Sequence, residues 1–144
     1  MFAEFPDVKL RRTGDPRGDT GGFLITTYDS SETAHAVCRA LRGEGITSPR
    51  PECSTLVLSE YGLHIYSNIF GLVKKLSIDG RGTPWTLQEN SGSNVEYTKT
   101  TCPIADILFD RSVLVVIPSC LTEDDEADII EGFRRAIEVS GGTI

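Results

Sequence analysis

Residues 101–137 read TCPIADILFDRSVLVVIPSCLTEDDEADIIEGFRRAI, and the order of residue types in this stretch decides the fold. Pro103 suits the first position of a helix, where its missing N–H costs nothing. Ile104, Ile107 and Leu108 supply one apolar face of that helix. Val113 to Ile117 is an unbroken run of β-branched residues and leucine, the composition of a strand covered on both faces. Pro118 ends the strand. Thr122 then opens a second helix, and Asp125 stands three residues on to answer it as in a capping box. Glu123, Asp124 and Asp125 occupy the first turn and Arg134 and Arg135 lie toward the end, both matched to the helix dipole. The acidic run is therefore read as a helix start and not as a metal cluster. Ile130, Phe133 and Ile137, with Ile129 beside them, form the stripe expected to be buried.

Upstream, residues 1–20 are polar, and Val8 to Arg12 is a candidate edge strand followed by turn chemistry from Thr13 to Asp19. Phe23 to Tyr28 is the first well-marked strand, rich in β-branched and aromatic residues. Asp29-Ser30-Ser31-Glu32 predicts a helix start, with Asp29 as cap and Glu32 reaching back. Ala34, Val37, Cys38 and Leu41 recur on one helical face, and Gly43 and Gly45 stop the helix. His35 is expected at its surface or boundary. Pro49 and Pro51 exclude a helix or a central strand around them, and Leu56 to Leu58 is a possible strand. Tyr61 to Lys75 carries partial helical spacing (Leu63, Ile65, Ile69, with Tyr66, Phe70 and Val73), weakened by Gly62 and Gly71. Residues 77–100 are rich in Gly, Ser, Asn and Thr and form a long loop that holds the only tryptophan, Trp85.

The order of these elements predicts an α+β domain over residues 1–144: a small, mainly antiparallel sheet with helices packed on one face. The 144-residue length fits one domain with a real core. Asp and Glu number 21 against 14 Lys and Arg, a net charge of -7. That balance argues against nucleic acid, whose affinity rests on neutralising phosphates. No apolar run approaches the length of a membrane helix, and the N-terminus lacks the pattern of a signal peptide. The expected setting is cytoplasmic, with Cys38, Cys53, Cys102 and Cys120 reduced. None of the four forms a close pair and the only histidines are His35 and His64, so no metal site is expected. Cys38 and Cys120 are read as small core residues. Met1 and the end at Ile144 fit a short reading frame.

Three segments resemble the C-terminal small domain of the DegT/DnrJ/StrS sugar aminotransferases, a family of PLP-dependent fold-type-I enzymes. Leu10-Arg11-Arg12 followed by Asp15-Pro16-Arg17-Gly18-Asp19 is similar to the opening words of part of that family. Cys38 to Ile46, CRALRGEGI, resembles its helix end. Cys102 to Leu108, Arg111-Ser112 and Leu121 to Asp125 resemble its closing pattern. Between them, His64-Ile65-Tyr66-Ser67-Asn68 and Gly82-Thr83-Pro84-Trp85 look like its substrate-side loops. Together these cover most of residues 10–138.

The resemblance implies a fold like the C-terminal domain of fold-type-I aminotransferases. It also implies that His64, Tyr66, Asn68 and Trp85 line the approach of an amino or keto sugar. In that family PLP is held by a large domain that precedes the small one. Neither Lys9, Lys74, Lys75 nor Lys99 stands in the family's cofactor-lysine context, so this chain alone is expected to hold no cofactor. Three functions follow. The chain is a separate small domain that acts only with a PLP-binding large-domain partner. Alternatively it is a PLP-independent small-molecule-binding domain or small enzyme using His64 as general acid/base, with Glu60 or Asp79 as acidic partners. Thirdly, it is a non-catalytic module that self-associates through Ile69, Phe70, Leu72 and Val73. Tyr61 to Val73 also suits a segment packed in the core, and Trp85 beside Pro84 an anchor for the long loop.

Overall fold

The computed structural model describes residues 2–50, 53–92 and 94–141. Pro51 and the chain ends Met1 and Ile144, read above, lie outside them. Four strands form one antiparallel sheet: β1 (Lys9–Leu10), β2 (Phe23–Thr27), β3 (Thr55–Val57) and β4 (Ser112–Val116), in the spatial order β1-β2-β4-β3. β4 is the centre. It pairs Leu24 with Val115 and Thr26 with Val113 on one side, and Thr55 with Val115 and Val57 with Val113 on the other. Since β2 and β3 both run antiparallel to β4, they are parallel to each other. Helix α1 (Ser31–Gly43) therefore makes a split β-α-β crossover with β4 threaded between its strands. The apolar run from Val113 takes the central place because both of its faces are buried: Val113, Leu114 and Val115 are at most 2% exposed.

Alternation along the strands sends Val57, Val113 and Val115 to the face that carries α1 and α4 (Glu123–Val139). There they meet Ala34, Val37, Cys38 and Leu41 of α1 and Phe133, Ala136 and Ile137 of α4. The predicted stripe of α4 shifts by part of a turn: Ile129, Gly132, Phe133, Ala136 and Ile137 face the core, whereas Ile130 is exposed. Gly132 is central to this. A Cβ there would come 2.6 Å from Ile46 Cδ1, so the glycine lets α4 lie close to Ile46 in the turn that follows α1.

The helix ends follow local chemistry. α1 is capped by Ser30, whose Oγ accepts from the Thr33 N–H at 3.0 Å, one residue later than the Asp29 predicted. Asp29 instead sits 3.6 Å from the Arg111 guanidinium. At the other end the Gly45 N–H donates to Arg42 O and the Ile46 N–H to Leu41 O, with Gly45 at φ +84°, a left-handed turn that glycine adopts without a Cβ clash. α4 has the reciprocal cap expected of Thr122 and Asp125, at 3.2 and 2.8 Å. Arg134 and Arg135 do not reach its last turn, because the helix runs on to Val139. They pair instead with Glu131, with Glu4 and with Glu44.

Other departures sharpen the surface. The N-terminal segment is not merely polar: Phe5 and Val8 are buried in the core, and Phe2 meets Phe133 edge-on at 5.6 Å. Cys38 is buried as read, but Cys120 is exposed. The predicted apolar face of α3 (Pro103–Asp110) exists and points outward: Ile104 is 76%, Ile107 55% and Leu108 48% exposed, while Asp106, Phe109 and Asp110 are half-buried. Within residues 77–100 the regular structure among the described residues is one 3-10 turn, Gln88–Asn90. No helix among the described residues is long and apolar enough to cross a membrane.

Candidate functional site

Between β3 and α3 the partial helical spacing resolves into short turns. Three 3-10 turns, Leu58–Glu60, Gly62–His64 and Tyr66–Asn68, lead into a four-residue helix, α2 (Phe70–Val73). Gly62 takes φ +50° and breaks the run. Tyr66 holds this segment to α3. Its hydroxyl donates to Asp106 Oδ2 at 2.9 Å and accepts from the Cys102 N–H at 3.1 Å. The same carboxylate oxygen accepts from the Thr100 N–H at 2.8 Å. Thr100 itself sits at φ +90°, a conformation that a β-branched residue adopts only when its surroundings hold it there. Removal of water from the phenol raises the Tyr66 pKa, with the Asp106 carboxylate adding to the rise and the Cys102 N–H opposing it.

Beside this clasp lies a hollow of about 190 Å³. Asn68, Lys99, Asp106 and Asp110 give it polar walls, together with Ser59 and Ser67. Lys99 Nζ is 3.8 Å from Asp110 Oδ2. Asn68 Nδ2 donates to Gly62 O at 3.0 Å and so closes its own turn. The hollow offers carboxylates, hydroxyls and an amide within a small volume, which suits hydrogen bonding to a hydroxylated molecule.

Of the four residues expected to line one approach, His64, Tyr66 and Asn68 stand on two adjoining turns, Gly62–His64 and Tyr66–Asn68, and Trp85 stands in the long loop. Tyr66 and Asn68 belong to the clasp and its hollow. His64 is exposed, with its ring stacked on Tyr61 at 4.1 Å. Its expected acidic partners are engaged elsewhere. Glu60 is 4.0 Å from His35 Nδ1, and Asp79 Oδ1 accepts from Ser77 Oγ and from the backbone of Arg81 and Thr83. Trp85 donates from Nε1 to Leu76 O at 2.9 Å and meets Tyr97 at 6.1 Å. It lines a different hollow, of about 290 Å³, with Lys75, Asn90 and Tyr97 among its neighbours.

Sequence reasoning missed Asp106 as a contact residue of α3. Its position on the face opposite Ile104 and Leu108 was the available signal. Also missed was a groove of about 520 Å³ at the end of the β3–β4 pair, between the α1–β3 connection and the start of α4. Its lining is scattered over three segments and forms no motif.

The lysines do not fit PLP within this chain. That cofactor needs a lysine, a carboxylate for its ring nitrogen and a phosphate cradle in one geometry. Lys99 is paired with Asp110, and the hollow beside Lys75 has no carboxylate in its lining. Lys9 lies on an edge strand and Lys74 ends α2, both exposed. Among the described residues, no group of three or more His, Cys, Asp or Glu is placed to hold a metal ion. Models of known protein families give no match to the chain. Curated proteins give none either.

Proposed function

We propose that the chain is the smaller, substrate-side part of a two-part enzyme of the DegT/DnrJ/StrS aminotransferase type, acting on an amino or keto sugar when a PLP-binding partner is seated on it. The observation that carries this reading is the outward stripe of α3. A helix that exposes Ile104, Ile107 and Leu108 while turning Asp106 inward to Tyr66 is built to be covered. The adjoining segment adds Leu63 at 72% and Phe70 at 61% exposed. The family resemblance of residues 10–138 supplies the nature of the partner, and the polar hollow beside Asn68 and Asp106 supplies a place for sugar hydroxyls. Four free cysteines suit the reducing cytoplasm as the setting.

The experiment is to mix the chain with a PLP-loaded large domain of that family lacking its own small domain. A 1:1 complex, with transamination of an amino-sugar donor restored, supports the reading. No complex and no turnover reject it. A second reading, self-association through Phe70, Val73 and their neighbours, rests on the same exposure (61% and 37%). It predicts a dimer in the absence of any partner, and a monomeric sedimentation profile rejects it.

A further inference from the structure

We propose that the 520 Å³ groove at the end of the β3–β4 pair binds a small organic amine carrying an apolar body. The volume lies within the roughly 300–1,000 Å³ of small-molecule sites. Its floor is apolar, formed by Ile46, Val115, Ile117 and Ile129. Its hydroxyl wall is fixed before any ligand arrives. Ser54 Oγ accepts from the Ser48 N–H at 2.9 Å, Ser48 Oγ lies 3.1 Å from both the N–H and the carbonyl of Arg50, and Thr55 Oγ1 donates to Ile46 O at 2.6 Å. A wall held this way loses little freedom on binding. The floor is fixed too, because α4 approaches Ile46 at Gly132.

Charge selects the sign of the ligand. The ionisable side chains of the lining, apart from the Cys53 thiol, are Glu44, Asp125 and Asp128, with no lysine, arginine or histidine among them. Glu44 is neutralised by Arg135 at 3.0 Å, and Asp125 gives Oδ2 to the Thr122 cap. Asp128 has neither hydrogen bond nor ion pair among the described residues, and it stands one helical turn beyond Asp125 on the same edge of the groove. An ammonium at Asp128 with hydrocarbon against Ile117 and Ile129 satisfies both halves of the site. A carboxylate ligand finds no cationic side chain in the lining, and the guanidiniums at its border, Arg135 and Arg42, are engaged by Glu44 and by the Thr55 carbonyl. The groove shares no residue with the hollow beside Tyr66, so this inference stands independently of the aminotransferase reading.

The test titrates the whole chain with n-hexylammonium, n-hexanol and hexanoate, followed by amide chemical shifts. The expected result is saturable shifts confined to Ile46–Ser48, Ser54–Thr55, Val116–Ile117 and Asp128–Ile129, with affinity falling from amine to alcohol to carboxylate. Because Asp128 is exposed, Asp128→Asn lowers amine affinity by only about threefold and leaves the alcohol unchanged. Thr47→Trp, which fills the groove from an exposed position, abolishes binding of both with the rest of the spectrum retained. Shifts scattered elsewhere, hexanoate binding as tightly as the amine, or unchanged amine affinity in both variants overturns the proposal.

Discussion

Gly132 and Ile46 stand so close that a Cβ on the glycine would lie 2.6 Å from Ile46 Cδ1. Glycine in the middle of a helix costs about 1 kcal/mol relative to alanine, so an unconstrained site would gain from the exchange. Here the added methyl forces a side chain that is packed against the core to move, and overpacking of that kind costs about 1–3 kcal/mol. Gly132→Ala is therefore expected to destabilise the fold by about 1 kcal/mol net in urea denaturation. Ile46→Val removes the atom in the way, so the double variant should be more stable than the sum of the single changes implies. Strict additivity would show that the contact does not restrict α4.

Tyr66 joins two segments 40 residues apart through one hydroxyl. Tyr66→Phe keeps the ring, frees the Cys102 N–H and removes the donor to Asp106. Amide exchange at Thr100 and Cys102 is expected to quicken by about three- to tenfold, the scale of one hydrogen bond, while β4 amides stay as protected as before. Thr100 is the sensitive reporter, since its left-handed backbone depends on the Asp106 carboxylate that Tyr66 helps to place. Equal exchange in the two proteins would remove the clasp from the account of this region.

The Asp79 loop gives a pH dependence of defined sign. Hydrogen bonds from the Arg81 N–H first, then Ser77 Oγ, hold its carboxyl down to a pKa of about 2. A folded pKa below the ordinary value of 3.8 means that the ionised form stabilises the loop. That contribution is complete above the unfolded value and is lost as pH falls toward 2. Carbon-detected titration should place the Asp79 midpoint near 2, with the Arg81 and Thr83 amides shifting in step. A midpoint at the ordinary value, or amides that ignore it, refutes the arrangement.

What could be read from the sequence and what could not divide along physical lines. The Val113–Ile117 run, the Thr122 cap and the Gly45 stop are decided by neighbours in the chain, and each lies within a residue of its expected place. The Ser30 cap was missed by one residue because Asp29 and Ser30 are both good caps, and the fold sets Asp29 against the distant Arg111 while Ser30 Oγ bonds Thr33. Phe5 and Val8 join a core cluster drawn from elements as far along the chain as Ile137, and Phe2 meets Phe133, which no local period records. The candidate site was the least legible part. Tyr66 and Trp85 were singled out for their chemistry, yet each spends its polar atom on a backbone or side-chain partner set by the fold. The periodicity of α3 was correct, but periodicity gives a face and not its direction. Asp106 turning to Tyr66 decides that the apolar side looks out.

That outward face supports the last prediction. Ile104 and Leu108 lie one helical turn apart on α3 and line a shallow apolar hollow with Cys102, Pro103 and Ala105. Side chains already in water contribute little to the fold of the isolated chain, so Ile104→Glu with Leu108→Glu should change its unfolding free energy by no more than about 0.5 kcal/mol. The same pair of charges, placed in the middle of an apolar contact, must be desolvated without a partner when the face is covered. Binding of the large domain, or of a second copy if that is the occupant, should fall at least a hundredfold by calorimetry or sedimentation. Alanine at both positions should give an intermediate loss, because it removes contact area without adding charge. A variant that still associates normally would place the docking surface elsewhere, and one that unfolds would show that α3 packs inward after all.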